Sequence, residues 1–119
     1  MKKIFVVLLV VLLSACANTK PNQYYWGNYE NLIYKMYNKP GDADPGKQIQ
    51  LLTEDLQKAQ AKGKPVPPGF HAHLGLMYAM LGNAAQSQVA FEQEKTLFPE
   101  AEPLVSSLMD KQGKEAEGK

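Results

Sequence analysis

The chain has 119 residues, the size of one small domain, which excludes a multidomain enzyme. Its 13 basic residues are all lysine and face 12 acids for a formal charge of +1. Without arginine there is no bidentate grip on phosphates, so nucleic acid is not expected as a partner. The single cysteine, Cys16, excludes an internal disulfide and a cysteine-rich metal site.

Lys2 and Lys3 open the chain, residues 4–13 are unbroken apolar, and Leu13-Ser14-Ala15-Cys16 follows at once. The run is shorter than the ~20 apolar residues a membrane-crossing helix needs, so residues 1–15 read as an export signal. Its ending resembles the lipobox of bacterial lipoproteins, in which small residues precede a cysteine that is lipidated on sulfur, freed by cleavage and acylated on its new amine. The resemblance implies a lipid anchor at Cys16; the alternative is an ordinary signal cut after Ala15 that leaves a free thiol. With ~0.8 kcal/mol per buried CH₂, two or more acyl chains hold a protein stably to a membrane. In such lipoproteins an aspartate after the cysteine favours the inner membrane; Ala17 stands there instead and implies the outer one. Residues 16–27 are expected to form the lipidated cysteine and tether. Their small, polar stretch over 17–23 spans roughly 25 Å when extended.

Apolar residues then recur at three and four, which predicts helices throughout and an all-α domain over 28–112. The first segment, 28–37, carries Tyr29, Leu32, Ile33, Met36 and Tyr37 on one stripe, with Asn28 as its cap. The second is opened by Asp44-Pro45, runs down Ile49, Leu52, Leu56 and Ala59, and is closed by Gly63 and Pro65. A third starts near Pro67-Pro68 and carries Phe70, Leu74, Met77, Tyr78 and Leu81 before Gly82. Asn83 caps the fourth, with Gln86 in the manner of a capping box and Val89, Phe91 and Leu97 apolar. Pro103 opens a fifth, short helix with Leu104, Val105, Leu108 and Met109, and residues 113–119 read as a charged, disordered tail.

From 68 to 99 the chain resembles a tetratricopeptide repeat without a gap. Leu74, Gly75 and Tyr78 match its first helix, Gly82-Asn83 the turn, Ser87 and Phe91 the second helix, Leu97 the late apolar position and Pro99 the terminal proline. The resemblance implies about five helices in antiparallel pairs, with 28–63 a degenerate first unit and the fifth helix a cap. Gly75 and Ser87 lack bulk and let the helices approach, while Tyr78 and Phe91 fill the volume beside them. Two positions depart from the pattern. His71 replaces an aromatic, and Glu94 stands where a small buried alanine belongs, which implies looser packing at the end of the fourth helix.

The string Tyr24-Tyr25-Trp26-Gly27-Asn28-Tyr29-Glu30, just behind the tether, is similar to the opening of a family of small Gram-negative lipoproteins built on a domain of unknown function. Their genes commonly lie beside one for a lipoprotein like the curli secretion channel and one for another small lipoprotein, which implies an envelope role in company. Tyr24, Tyr25 and Trp26 are open to two readings: a rim of the core, or a patch that meets a partner or the membrane interface.

His71 and His73, two apart on a helix, point to nearly opposite sides and do not suit one metal ion, so none is expected. His71 reads as packing beside Tyr78 and His73 as the more exposed. Ser87, Ser106 and Ser107 have no histidine placed to activate them. The carboxylates Asp42, Asp44, Glu54, Asp55, Glu92 and Glu94 read as solvated charge, and no phosphate-binding glycine loop occurs, so neither catalysis, a cofactor nor a small-molecule substrate is expected.

A binding surface remains. The inward positions of the matched repeat fall on Gly69, Ala72, Leu76, Ala79 and Met80, a groove suited to an extended peptide or a partner helix unless the fifth helix or the first unit covers it. The expectation is a periplasm-facing outer-membrane lipoprotein that binds envelope proteins, other lipoproteins among them, as an adaptor. Two alternatives are a structural subunit of a lipoprotein ring or transport complex, joined through residues 24–29, and an enzyme or activator acting on peptidoglycan.

Overall fold

Among the described residues from Tyr29 on, five helices succeed one another: α1 (Tyr29–Asn38), α2 (Pro45–Ala61), α3 (Phe70–Met80), α4 (Ala84–Leu97) and α5 (Glu102–Glu117). Short 3-10 turns at Pro40–Asp42 and Pro99–Ala101 precede α2 and α5. This computed structural model describes residues 1–4 and 23–118; the lipobox, Cys16 and most of the tether lie outside them. Among the described residues there is no strand, and the domain is all-α.

α3 is the centre. Phe70, Ala72, Leu74 and Met77 are buried, together with both histidines and Gly75, so its first two turns are covered on both sides, while its last turn, through Met80, opens to the surface. On one side Leu32, Leu52, Ala59 and Val66 close a core with Phe70, Leu74 and Ala90. On the other, Ala72, Phe91 and Val105 form a second core, flanked by Ala101, Leu108 and Met109. α1 and α2 thus lie on one side of the α3–α4 hairpin and α5 on the other.

The stop and start signals act as their chemistry dictates. Asp44 accepts the Lys47 N–H at 2.8 Å and Asn83 accepts that of Gln86 at 3.2 Å, each side chain taking one of the amides the first turn leaves without a partner. α1 and α3 are capped differently. Neither Asn28 nor Gly69, the residues at the cap positions, offers its own side chain to the helix it opens. Instead a carboxylate arrives from the following helix of each pair.

For α3 that carboxylate is Glu94, 1% exposed. Its Oε1 accepts the Gly69 N–H at 2.6 Å, and its Oε2 accepts those of His71 and Ala72 at 3.0 and 3.1 Å. The Phe70 N–H reaches Pro67 O at 3.2 Å, so every amide of the first turn is satisfied. The negative charge also sits at the positive end of the helix dipole. Gly69 is required here because its φ of 92° is a left-handed conformation, and a Cβ would lie 2.5 Å from the Tyr29 hydroxyl.

For α1 the carboxylate is Asp55, also 1% exposed. Its Oδ2 accepts the Asn28 N–H at 2.7 Å and its Oδ1 accepts from Asn28 Nδ2 at 3.1 Å. Asn28 therefore donates to α2 rather than capping its own helix. The same device appears once in each helix pair, and it corrects the expectation that Asp55 and Glu94 are solvated charges. Far from loosening the end of α4, Glu94 bonds it to the start of α3.

Other expectations change at the margins. Tyr37, Val89 and Leu97 are exposed, because α1 is an outermost helix and α4 turns only Ser87, Ala90, Phe91 and Glu94 fully inward. α5 continues through Gly113 to Glu117, so residues 113–117 are helical rather than a disordered tail.

The two caps make distinct demands. Glu94→Gln sets an NH₂ group against an N–H donor and should cost about 2–3 kcal/mol in urea unfolding. Asp55→Asn should cost less, about 1 kcal/mol, because the Asn28 amide can turn to present its oxygen.

Candidate functional site

The α3–α4 hairpin closes around Gly75. A Cβ there would lie 2.8 Å from the Phe91 ring, so only glycine allows the observed approach. The buried Ser87 hydroxyl donates to Gly75 O at 2.7 Å. Leu74 is buried in the first core and Tyr78 packs, half-buried, against it. Pro99 opens the turn into α5.

Beyond this knot, where α3 ends, α4 begins and α5 arrives, lies a cleft of about 330 Å³. Leu76, Ala79 and Met80 line it from α3, Ala84 from α4, and Gln112 and Glu115 from α5. Three of the five expected groove positions therefore meet at one opening, with Met80 60% exposed. Of the other two, Ala72 is buried in the core that contains Phe91 and Val105, so α5 covers that part of the groove, and Gly69 lies at the far end of α3 against Tyr29.

Gln112 was not foreseen. Its Oε1 lies 3.2 Å from Ser87 Oγ, and its Nε2 is buried without a partner. The single Ser87 proton follows the shorter path to Gly75 O, so turning the amide would let Nε2 donate to Ser87. In either orientation one polar atom of Gln112 stays unpaired beside the cleft it lines. A mostly apolar cleft with the Gln112 amide at its wall and the exposed Glu115 at its rim suits a ligand that offers an apolar side chain beside polar groups.

The histidines do not converge. His71 lies edge-on to Phe70 at 5.6 Å. His73, expected to be the more exposed, is 5% exposed, with Nε2 2.7 Å from Gln48 Oε1. Burial holds the His71 ring below its ordinary pKa and pushes His73 down to about 4. Burial, then the Glu94 charge, then Tyr37 raise the Tyr29 phenol. Among the described residues no group of three potential metal ligands occurs.

Tyr24, Tyr25 and Trp26 are half-buried and pack within the chain. Tyr24 lies edge-on to Trp26 at 6.4 Å and to Phe98 at 6.3 Å, and Trp26 stacks on Tyr29 at 6.2 Å. Tyr25 donates its N–H to Pro65 O at 2.8 Å beneath the Lys62 ammonium, which lies 5.2 Å from the ring centroid. The string is a strap that ties the start of the domain to the end of α4 and the α2–α3 connection.

The strap, α1 to α4 and the start of α5 all fall within one family match. The chain belongs to the family described as domain of unknown function DUF4810, whose pattern matches residues 23–108. No curated protein and no solved structure matches it.

Two measurements follow from this geometry. In thermal unfolding Gly75→Ala should lose about 1–3 kcal/mol through the Phe91 clash, while Gln112→Leu, which removes an unpaired amide, should be neutral or slightly stabilising. For His73 the unfolded chain binds more protons than the folded one between pH 6.5 and about 4. Its contribution is therefore complete above pH 6.5 and falls, by about 3 kcal/mol at most, as pH drops through that window. Denaturant midpoints of wild type and His73→Gln between pH 7.5 and 3.5 isolate it.

Proposed function

We propose that the chain is an outer-membrane lipoprotein, anchored through Cys16 and facing the periplasm, whose helical domain is a protein-binding adaptor in a cell-envelope assembly. The cleft at Leu76, Ala79 and Met80 carries this reading: it is a mostly apolar recess where the ends of three helices meet. The lipobox at Leu13-Ser14-Ala15-Cys16 supports the anchor. The likeness of residues 68–99 to a tetratricopeptide repeat supports peptide binding, and the likeness of residues 24–30 to small Gram-negative lipoproteins implies a partner among envelope lipoproteins.

Geometry adds a direction. The strap places Tyr24, the tether's end, against Phe98 at the end of α4, while the cleft lies at the start of α4. A 14-residue helix separates them by about 20 Å. An anchored domain would hold its cleft away from the leaflet and toward partners in the periplasm.

The test joins two measurements. Intact-mass analysis and cell fractionation should find an acylated Cys16 terminus in the outer-membrane fraction; a bare thiol and a freely soluble chain contradict the anchor. A photocrosslinker at Met80 in intact cells should yield one dominant adduct with an unlike envelope protein, lost in Leu76→Asp. A ladder of self-adducts would instead favour a ring subunit, and adducts unchanged by Leu76→Asp would contradict the cleft as the docking site.

A further inference from the structure

His73 stands at the seam between the two helix pairs. Gln48 Nε2 donates to Ala43 O at 3.2 Å, which fixes the amide so that Oε1 turns to the ring. His73 therefore carries its one proton on Nε2 and donates it to Gln48. Both side chains are buried, and among the described residues this is the side-chain hydrogen bond that joins α2 to α3.

The surroundings offer nothing to a second ring proton. From α1, Tyr29 presents its ring to His73 at 6.2 Å, and its phenol is held neutral by burial. From α2 come neutral Gln48 and, two turns farther along the same buried stripe, Asp55, whose two oxygens are taken by Asn28. From α4 comes Glu94, whose two oxygens are already taken by three α3 amides. On α3 itself, His71 is two residues away and is also kept neutral by burial. Glu115 of α5 lies farther along α3, at the cleft, and is exposed.

We propose that the His73–Gln48 pair is an acid-released latch, so that protonation of the ring from solvent loosens α1 and α2 from α3 while the α3–α4 hairpin persists. The proton enters at Nδ1, and only non-covalent contacts break. An imidazolium retains its donation to Gln48 but brings a full charge into a buried seam, and the ring is relieved by reaching water. The hairpin keeps its own ties, the Ser87–Gly75 hydrogen bond and the packing of Phe91 on Gly75, neither of which involves His73. Opening would uncover Leu52, Phe70 and Leu74. The inference is independent of the anchor and of the cleft.

Trp26, the sole tryptophan, stacks on Tyr29 and reports the seam. The full chain in detergent solution, titrated from pH 7.5 to 3.5, should show a red shift of Trp26 emission with its midpoint between pH 6.5 and 4, while helical circular dichroism stays constant. The His73 ring signals in NMR should titrate with the same midpoint, His73→Gln should abolish the shift, and His71→Gln should leave it in place. If His73→Gln does not fold, coincidence of the two wild-type midpoints decides. Trp26 emission constant until helicity collapses, a His73 titration without an emission change, or a persistent shift in folded His73→Gln would overturn the latch.

Discussion

The Glu94 carboxylate is the contact on which the arrangement turns. It is buried, and among the described residues no cation pairs with it, a placement that only dense hydrogen bonding sustains; three amides of α3 supply that bonding. One side chain thus terminates α3, fixes the end of α4 against it, and sets the depth at which the hairpin closes. From that depth follow the Gly75–Phe91 approach and the position of the turn at Gly82. The cleft between α3, α4 and α5 is a consequence of the same geometry.

Asp55 repeats the device in the first pair, with Gly27 preceding α1 as Gly69 precedes α3. The two pairs differ in loop lengths and in most side chains, yet each returns a carboxylate from its second helix to the start of its first. That shared polar feature is a stronger sign of internal repetition than the apolar pattern, in which the first unit is degenerate. It also explains the aromatic strap: Tyr24, Trp26 and Tyr29 pack over the end of the domain where Glu94 caps α3.

Much of this was legible in the residues. The helices and the Asp44 and Asn83 caps follow from spacing and cap chemistry, while the Gly75–Ser87–Phe91 knot and the three positions that line the cleft came from the likeness to a tetratricopeptide repeat. What escaped were the polar residues on buried stripes. Gln48 and Asp55 share a face with Leu52 and Ala59, and Glu94 shares one with Ser87, Ala90 and Phe91. A carboxylate at helical spacing within an apolar stripe was the available signal, and a general expectation of solvated charge overrode it. Gln112 was missed because Gly113 and the charged residues after it suggested that the helix had ended, whereas a helix that packs by one face tolerates a glycine on the other. At Ala72 the alternative that the sequence left open holds: Val105, near the start of α5, covers it.

The most direct test of the account is residue-resolved amide hydrogen exchange at the start of α3. If Glu94 is the cap, the amides of Gly69, His71 and Ala72 exchange only through global unfolding, as slowly as those in the middle of the helix. Exchange of those three at the rate of a frayed helix end, with the rest of α3 protected, would contradict it.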